Sequence, residues 1–151
     1  MGIQDSSSLL SQNERDIHKP TLQGKKYRKG AYVRYFLCET KNELKINITD
    51  SMGEREEKNC QMKTFISQLN SFTRACVLQL INELDEKEVP RENRNWKQVP
   101  DYMKEKCFFS LELMASKANL CLDRCVNSWA AKKLVSTNYH NEIRRNQVSL
   151  C

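Results

Sequence analysis

From Glu54 onward, apolar and polar positions alternate at steps of three and four residues. Met62, Phe65, Ile66, Leu69, Phe72, Cys76, Val77, Leu80 and Leu84 form one stripe, opposed by Lys58, Lys63, Gln68, Asn70, Arg74, Asn82 and Glu83. This is the pattern of a core-facing amphipathic helix, predicted over 54–88. Asp50-Ser51 can cap it, and Glu54, Glu56 and Glu57 suit the positive end of its dipole. Pro90 disfavours the α conformation at the residue before it and so ends the helix. A polar link follows, and Pro100-Asp101 opens a second helix predicted over 100–135. Its stripe is Met103, Cys107, Leu111, Met114, Ala118, Cys121, Cys125 and Trp129, close to the heptad seam of a coiled coil. Phe108, Leu122 and Val126 widen that face. Periodicity weakens after Leu134, so 136–151 reads as a weakly ordered tail.

Two stretches precede the helices. Ala31 to Thr40 is rich in aromatic and β-branched residues, and Leu44-Lys-Ile-Asn-Ile-Thr49 alternates strictly. With Lys41-Asn42-Glu43 as the turn, 31–50 is predicted to be a two-stranded antiparallel β-ribbon. Residues 1–30 lack periodicity and read as a flexible basic arm. The expected fold is therefore mainly α with a minor β part: a single domain over 31–151, an antiparallel helical hairpin or small bundle with an N-terminal ribbon.

Composition sharpens this picture at three points. The formal charge of +6 favours anionic partners, and Lys25, Lys26, Arg28 and Lys29, extended by Arg34, are the candidate contact. Tyr27, Tyr32 and Tyr35 interleave with them, a composition also found where bases stack on nucleic-acid-binding surfaces. Met1-Gly2 with Ser6 fits the N-myristoylation pattern at Gly2, for which the basic cluster would be the second, electrostatic signal. The start of the chain reads as no secretory signal, so the expected setting is intracellular and cytoplasmic. Acylation would add membrane association, and nucleic-acid binding a nuclear location.

Seven cysteines are present, five of them in 54–145. If the segments fold back antiparallel about the link, Cys76 and Cys107 share a midpoint near residues 91–92. Cys60 with Cys121 or Cys125 shares nearly the same one, which places these cysteines together across the hairpin. Small buried hydrophobes are the leading reading, since free Cys is among the most buried residue types. Stapling disulfides come second and need an oxidising compartment. A metal site at Cys60, Cys121 and Cys125 comes third, being an incomplete tetrahedral set without a nearby His. No metal and no cofactor are expected.

Leu120-Cys-Leu-Asp-Arg-Cys-Val126 resembles the second half of the twin Cys-x-x-x-Cys pattern of the small translocase chaperones of the mitochondrial intermembrane space. The likeness covers about seven residues. Cys107 stands where the second cysteine of the first pair would be, and Met103 occupies the place of the first. The resemblance implies a disulfide-stapled, chaperone-like helical hairpin; the missing cysteine and the long first helix depart from it.

Catalytic groups do not assemble. His18 and His140 lie far from any nucleophile with an orienting partner, and Gly2, Gly24, Gly30 and Gly53 form no phosphate-cradling loop. The chain reads as a non-enzymatic interaction or adaptor subunit that packs its helices against another protein or its own copy. Phe65, Leu69, Phe72, Leu80, Leu111, Met114 and Trp129 are the expected packing residues, and the basic arm contacts an anionic surface such as a membrane. A basic nucleic-acid-binding protein is the alternative.

Overall fold

The computed structural model describes residues 9–21 and 29–149. The fold is mainly helical, with four α-helices: α1 (Lys29–Thr40), α2 (Met52–Glu86), α3 (Asp101–Lys117) and α4 (Trp129–Ser149). The long helix α2 is the spine, packed by α3 and α4 along most of its buried face and by α1 towards its start.

Helix α2 begins where its chemistry dictates. The Ser51 hydroxyl accepts from the Glu54 N–H at 3.1 Å, and the Glu54 carboxylate accepts from the Ser51 N–H at 2.8 Å. This capping box satisfies two backbone donors that the first turn leaves open. At its other end Glu88 adopts φ 56, the Val89 N–H bonds the Leu84 carbonyl, and the Glu88 N–H bonds that of Asp85. That is a Schellman stop, with a glutamate in the left-handed position that glycine prefers.

The β-ribbon expected over 31–50 is not seen. Residues up to Thr40 are helix α1, which buries Phe36 and Leu37 side by side, with Tyr32, Val33 and Tyr35 packed against the core. Strand preference largely measures fit to a half-buried sheet, and here helix-spaced burial against α2 and α4 overrides it. Of the alternating residues that follow, Leu44 is buried, but Ile46 and Ile48 are 45% and 95% exposed. Their side of the chain faces water.

The second long helix is two helices. Helix α3 stops at a second Schellman motif, in which Asn119 takes φ 62 and the Leu120 N–H bonds the Ala115 carbonyl. The chain then runs through two 3₁₀ turns to Asn127 and Ser128, both left-handed, before α4 starts. Leu120, Leu122 and Cys125 in this junction are fully buried. The four-residue spacing of Cys121, Cys125 and Trp129 thus reflects burial in a compact turn rather than a continuing helix. Helix α4 carries on through the segment expected to be a weak tail, because Val135, Tyr139 and Glu142 face the interior.

What orders the junction is a segment within the expected flexible arm. Residues 9–21 cross it as a strap. Ile17 is buried and forms a parallel bridge with Cys125, its N–H bonding the Arg124 carbonyl at 2.9 Å and its carbonyl accepting from Val126 at 2.8 Å. The Trp129 indole donates to the same Ile17 carbonyl. Arg15 forks onto Glu112 of α3 at 2.9 and 3.1 Å, with both side chains almost wholly buried.

The α2–α3 register also differs from the symmetric fold-back. Lys87 lies over Tyr102, Lys106 pairs with Glu83, and the Cys76 sulfur is 3.6 Å from that of Met114. These pairs have midpoints at 94.5 to 95, about three residues beyond the expected one. The link turns asymmetrically, through 3₁₀ turns at Arg91–Asn93 and Trp96–Gln98 that Tyr139 and Asp85 tie down by bonding Arg94.

The left-handed glutamate gives a direct check. Glu88→Gly removes the Cβ strain without touching a buried contact, so unfolding should become harder by about 0.5–1 kcal/mol, or roughly 2–4 °C in Tm. A loss of stability in thermal melts would contradict the assigned turn.

Candidate anion-binding surface around helix α4

Residues on the flanks of three helices converge on one open groove of about 860 Å³. Helix α1 contributes Val33 and Arg34, α2 contributes Lys63, Ile66, Asn70 and Arg74, and α4 contributes Lys133, Leu134, Thr137, Asn141 and Arg145. The three- and four-residue steps keep each set on one helical flank. Val33, Ile66 and Leu134 supply apolar lining, and the rest of the wall is polar or cationic.

Its electrostatics are lopsided. Five cations face one carboxylate, that of Glu142, which is buried and shared by Arg74 at 3.1 Å and Arg145 at 3.2 Å. Those two arginine side chains are 56% and 67% exposed. Among the described residues, Arg34, Lys63 and Lys133 form no ion pair; Lys133 rests over the Tyr32 ring at 4.3 Å. Asn138 also lines the groove, and its side-chain oxygen is buried with no hydrogen-bond partner among the described residues.

A second groove of about 570 Å³ lies on the other side of Lys133. Lys19 of the strap, Lys104 of α3, and Lys132 and Lys133 of α4 line it with Trp96, Phe108 and Trp129, against Asp101 and Glu105. The Lys104 ammonium sits 4.8 Å from the centre of the half-buried Trp96 ring. Together the two grooves hold eight cations and three carboxylates, a net +5, whereas the remaining described residues total −1. The positive charge is therefore concentrated around α4.

The residues expected to pack partners lie mostly inside. Leu69, Leu80, Leu111 and Trp129 are buried in the chain's own core, and Phe65, Phe72 and Met114 pack partly buried against it. Of the expected basic contact, Arg34 lines the first groove. Lys25, Lys26, Arg28 and the acylation candidate Gly2 lie outside the described residues, and Lys29 enters as the first residue of α1. Tyr32 and Tyr35 turn inward onto Trp129, with ring centroids at 6.3 and 6.2 Å. The pattern reading missed Lys63, Arg74, Lys104, Lys132, Lys133 and Arg145. A signal was present: Lys63 and Arg74 stand eleven residues apart, three helical turns, so they share a face.

The cysteines divide by depth. Cys76, Cys107 and Cys125 are buried, Cys38 and Cys121 half-buried and Cys60 exposed, and all six are free thiols. Cys76 and Cys107 line one cleft between α2 and α3, although the shifted register gives Cys76 Met114 as its direct neighbour. Cys60 has no bond to Cys121 or Cys125. Among the described residues no group of three or more His, Cys, Asp or Glu side chains is placed to hold a metal. No helix among them is long and apolar enough to cross a membrane. No protein-family model, curated protein or solved structure matches the chain.

Burial pushes the Cys76 thiol up to about 11, and those of Cys107 and Cys125 up to about 12. A neutral thiol favoured by the fold stabilises below the unfolded value near 9 and is lost as pH rises through the folded one. Alkylation of the native protein at mildly alkaline pH should therefore modify Cys60 at least about tenfold faster than these three, as read by peptide mass spectrometry. Equal rates would contradict the packing.

Proposed function

We propose that this chain is a non-enzymatic interaction module that engages an anionic macromolecule through the two grooves flanking α4. The observation that carries the reading is charge segregation: a net +5 on these grooves against −1 on the remaining described residues. A surplus gathered on one face raises the local concentration of an oppositely charged partner and speeds its capture. Both grooves are open and mix charged with apolar lining, unlike the enclosed, mostly apolar cavities that hold small molecules.

The adaptor role changes in form on this reading. The wide apolar stripes are closed by the chain's own helices and strap, so neither a second copy nor partner helices are needed to complete the core. The partner is met at the surface instead. A flat membrane would touch the rims of the grooves rather than their linings, which favours a chain-like ligand. An intracellular setting, cytoplasmic or nuclear, belongs to the same proposal, since anionic polymers abound there.

Cation-exchange or heparin elution tests the assignment with net charge held constant. The triple variant Arg34→Ala, Lys63→Ala, Lys133→Ala should elute about a tenth of a molar lower in salt than Arg91→Ala, Lys97→Ala, Lys117→Ala, whose positions are exposed outside the grooves. Co-elution of the two would overturn the site.

A further inference from the structure

The two grooves meet at Lys133, so a ligand filling both must pass over α4 and present negative charge on each side of it. Packed helices lie roughly 8–10 Å apart between axes, which sets the width of a groove between them. A duplex carries its phosphates on a cylinder too wide for such a channel, whereas one extended strand fits. The second groove adds a feature that a site for carboxylates alone does not require: aromatic rings edged by ammonium groups. Trp96 is half-buried, braced from behind by Tyr139 at 5.2 Å and by Phe108 at 6.3 Å, and covered by Lys104.

From this geometry, and resting on the anionic-partner reading above, we infer that the ligand is a single-stranded nucleic acid crossing α4. Its phosphates run along Arg34, Lys63 and Lys133, and one base stacks on Trp96 between Lys104 and Lys132. Nucleobase stacking on aromatic rings is tolerant of sequence, and lysines beside the ring hold the backbone that carries the base. The arriving base takes the place of the Lys104 ammonium, which turns towards a phosphate. Asn and Thr side chains at Asn70, Thr137 and Asn141 offer hydrogen bonds to phosphate and sugar. Phosphate contacts and stacking carry no base-edge information, so the binding is largely independent of sequence.

Full-length protein titrated with a labelled oligothymidylate of about 20 nucleotides tests this, read by anisotropy and by tryptophan fluorescence. Only two tryptophans are present and Trp129 is 6% exposed, so stacking at Trp96 quenches the accessible fraction of the emission. With about five phosphates contacted, affinity should fall about a hundredfold between roughly 50 and 200 mM salt. Lys104→Ala with Lys132→Ala, and Arg34→Ala with Lys63→Ala, should each weaken binding by about tenfold or more, and Trp96→Leu should abolish the quench. Polyglutamate of matched charge is the comparison. If it binds as tightly as the oligonucleotide, the nucleic-acid inference falls and the anionic-partner reading stands. If neither binds near physiological salt, both fall. Oligonucleotide binding that ignores the lysine variants of both grooves also overturns the inference.

Discussion

A guanidinium and a carboxylate taken out of water together must find each other in good geometry, and Arg15 and Glu112 do so across the whole fold. The Arg15 side chain is 5% exposed and that of Glu112 3%, and the two are joined by hydrogen bonds of 2.9 and 3.1 Å. The remaining Arg15 donors reach the Leu10 and Cys125 carbonyls and the Ser128 hydroxyl. Desolvating such a pair costs several kcal/mol per ion, so a matched partner and saturated donors are conditions for its existence. The fold meets them by laying the strap across the α3–α4 junction. That junction is short, contains three left-handed residues and is held internally by single 3₁₀ turns. Its geometry depends on the strap.

From that constraint the functional surface follows. The strap fixes Ile17 against Cys125 and the indole of Trp129, which sets where α4 begins and which face it turns to α2. The inner face then buries Ala131, Val135 and Tyr139, and Glu142 is held beneath two guanidiniums. Lys133 and Arg145 are left on the flank that meets Arg34 and Lys63, while Lys132 is directed into the second groove with Lys19 of the strap itself. A single packing event thus orders the core and collects the cations.

Much of this was legible in the chain, and the failures have physical causes. The capping residues at Asp50-Ser51, the stripe from Met62 to Leu84 and the proline-bounded link mark α2 and α3 because local chemistry and periodicity agree there. Residues 31–40 mislead because Tyr, Val and Phe favour strands only when a sheet is present to receive them. The α3–α4 break hides behind Cys121, Cys125 and Trp129, whose four-residue steps imitate a helix; the better signals were Asn119 and Asn127, residues that tolerate the left-handed conformation. The strap is invisible to periodicity, since a lone Arg15 and Ile17 in a polar stretch acquire meaning only from Glu112 and Cys125, about a hundred residues away. The grooves were legible least of all. Arg34, Lys63 and Lys133 lie on three different helices, and no local pattern brings them together.

The dependence of the fold on the docked strap is tested most directly by native-state hydrogen exchange at the amides of Asp16, Ile17 and Val126. All three are donors in the strap–junction bonds, to the Arg124 and Ile17 carbonyls. They should exchange slowly, with opening free energies close to those of core amides in α3, and Arg15→Met should accelerate all three together with the start of α4. Exchange at the rate of an unstructured chain in the unmodified protein would contradict the account.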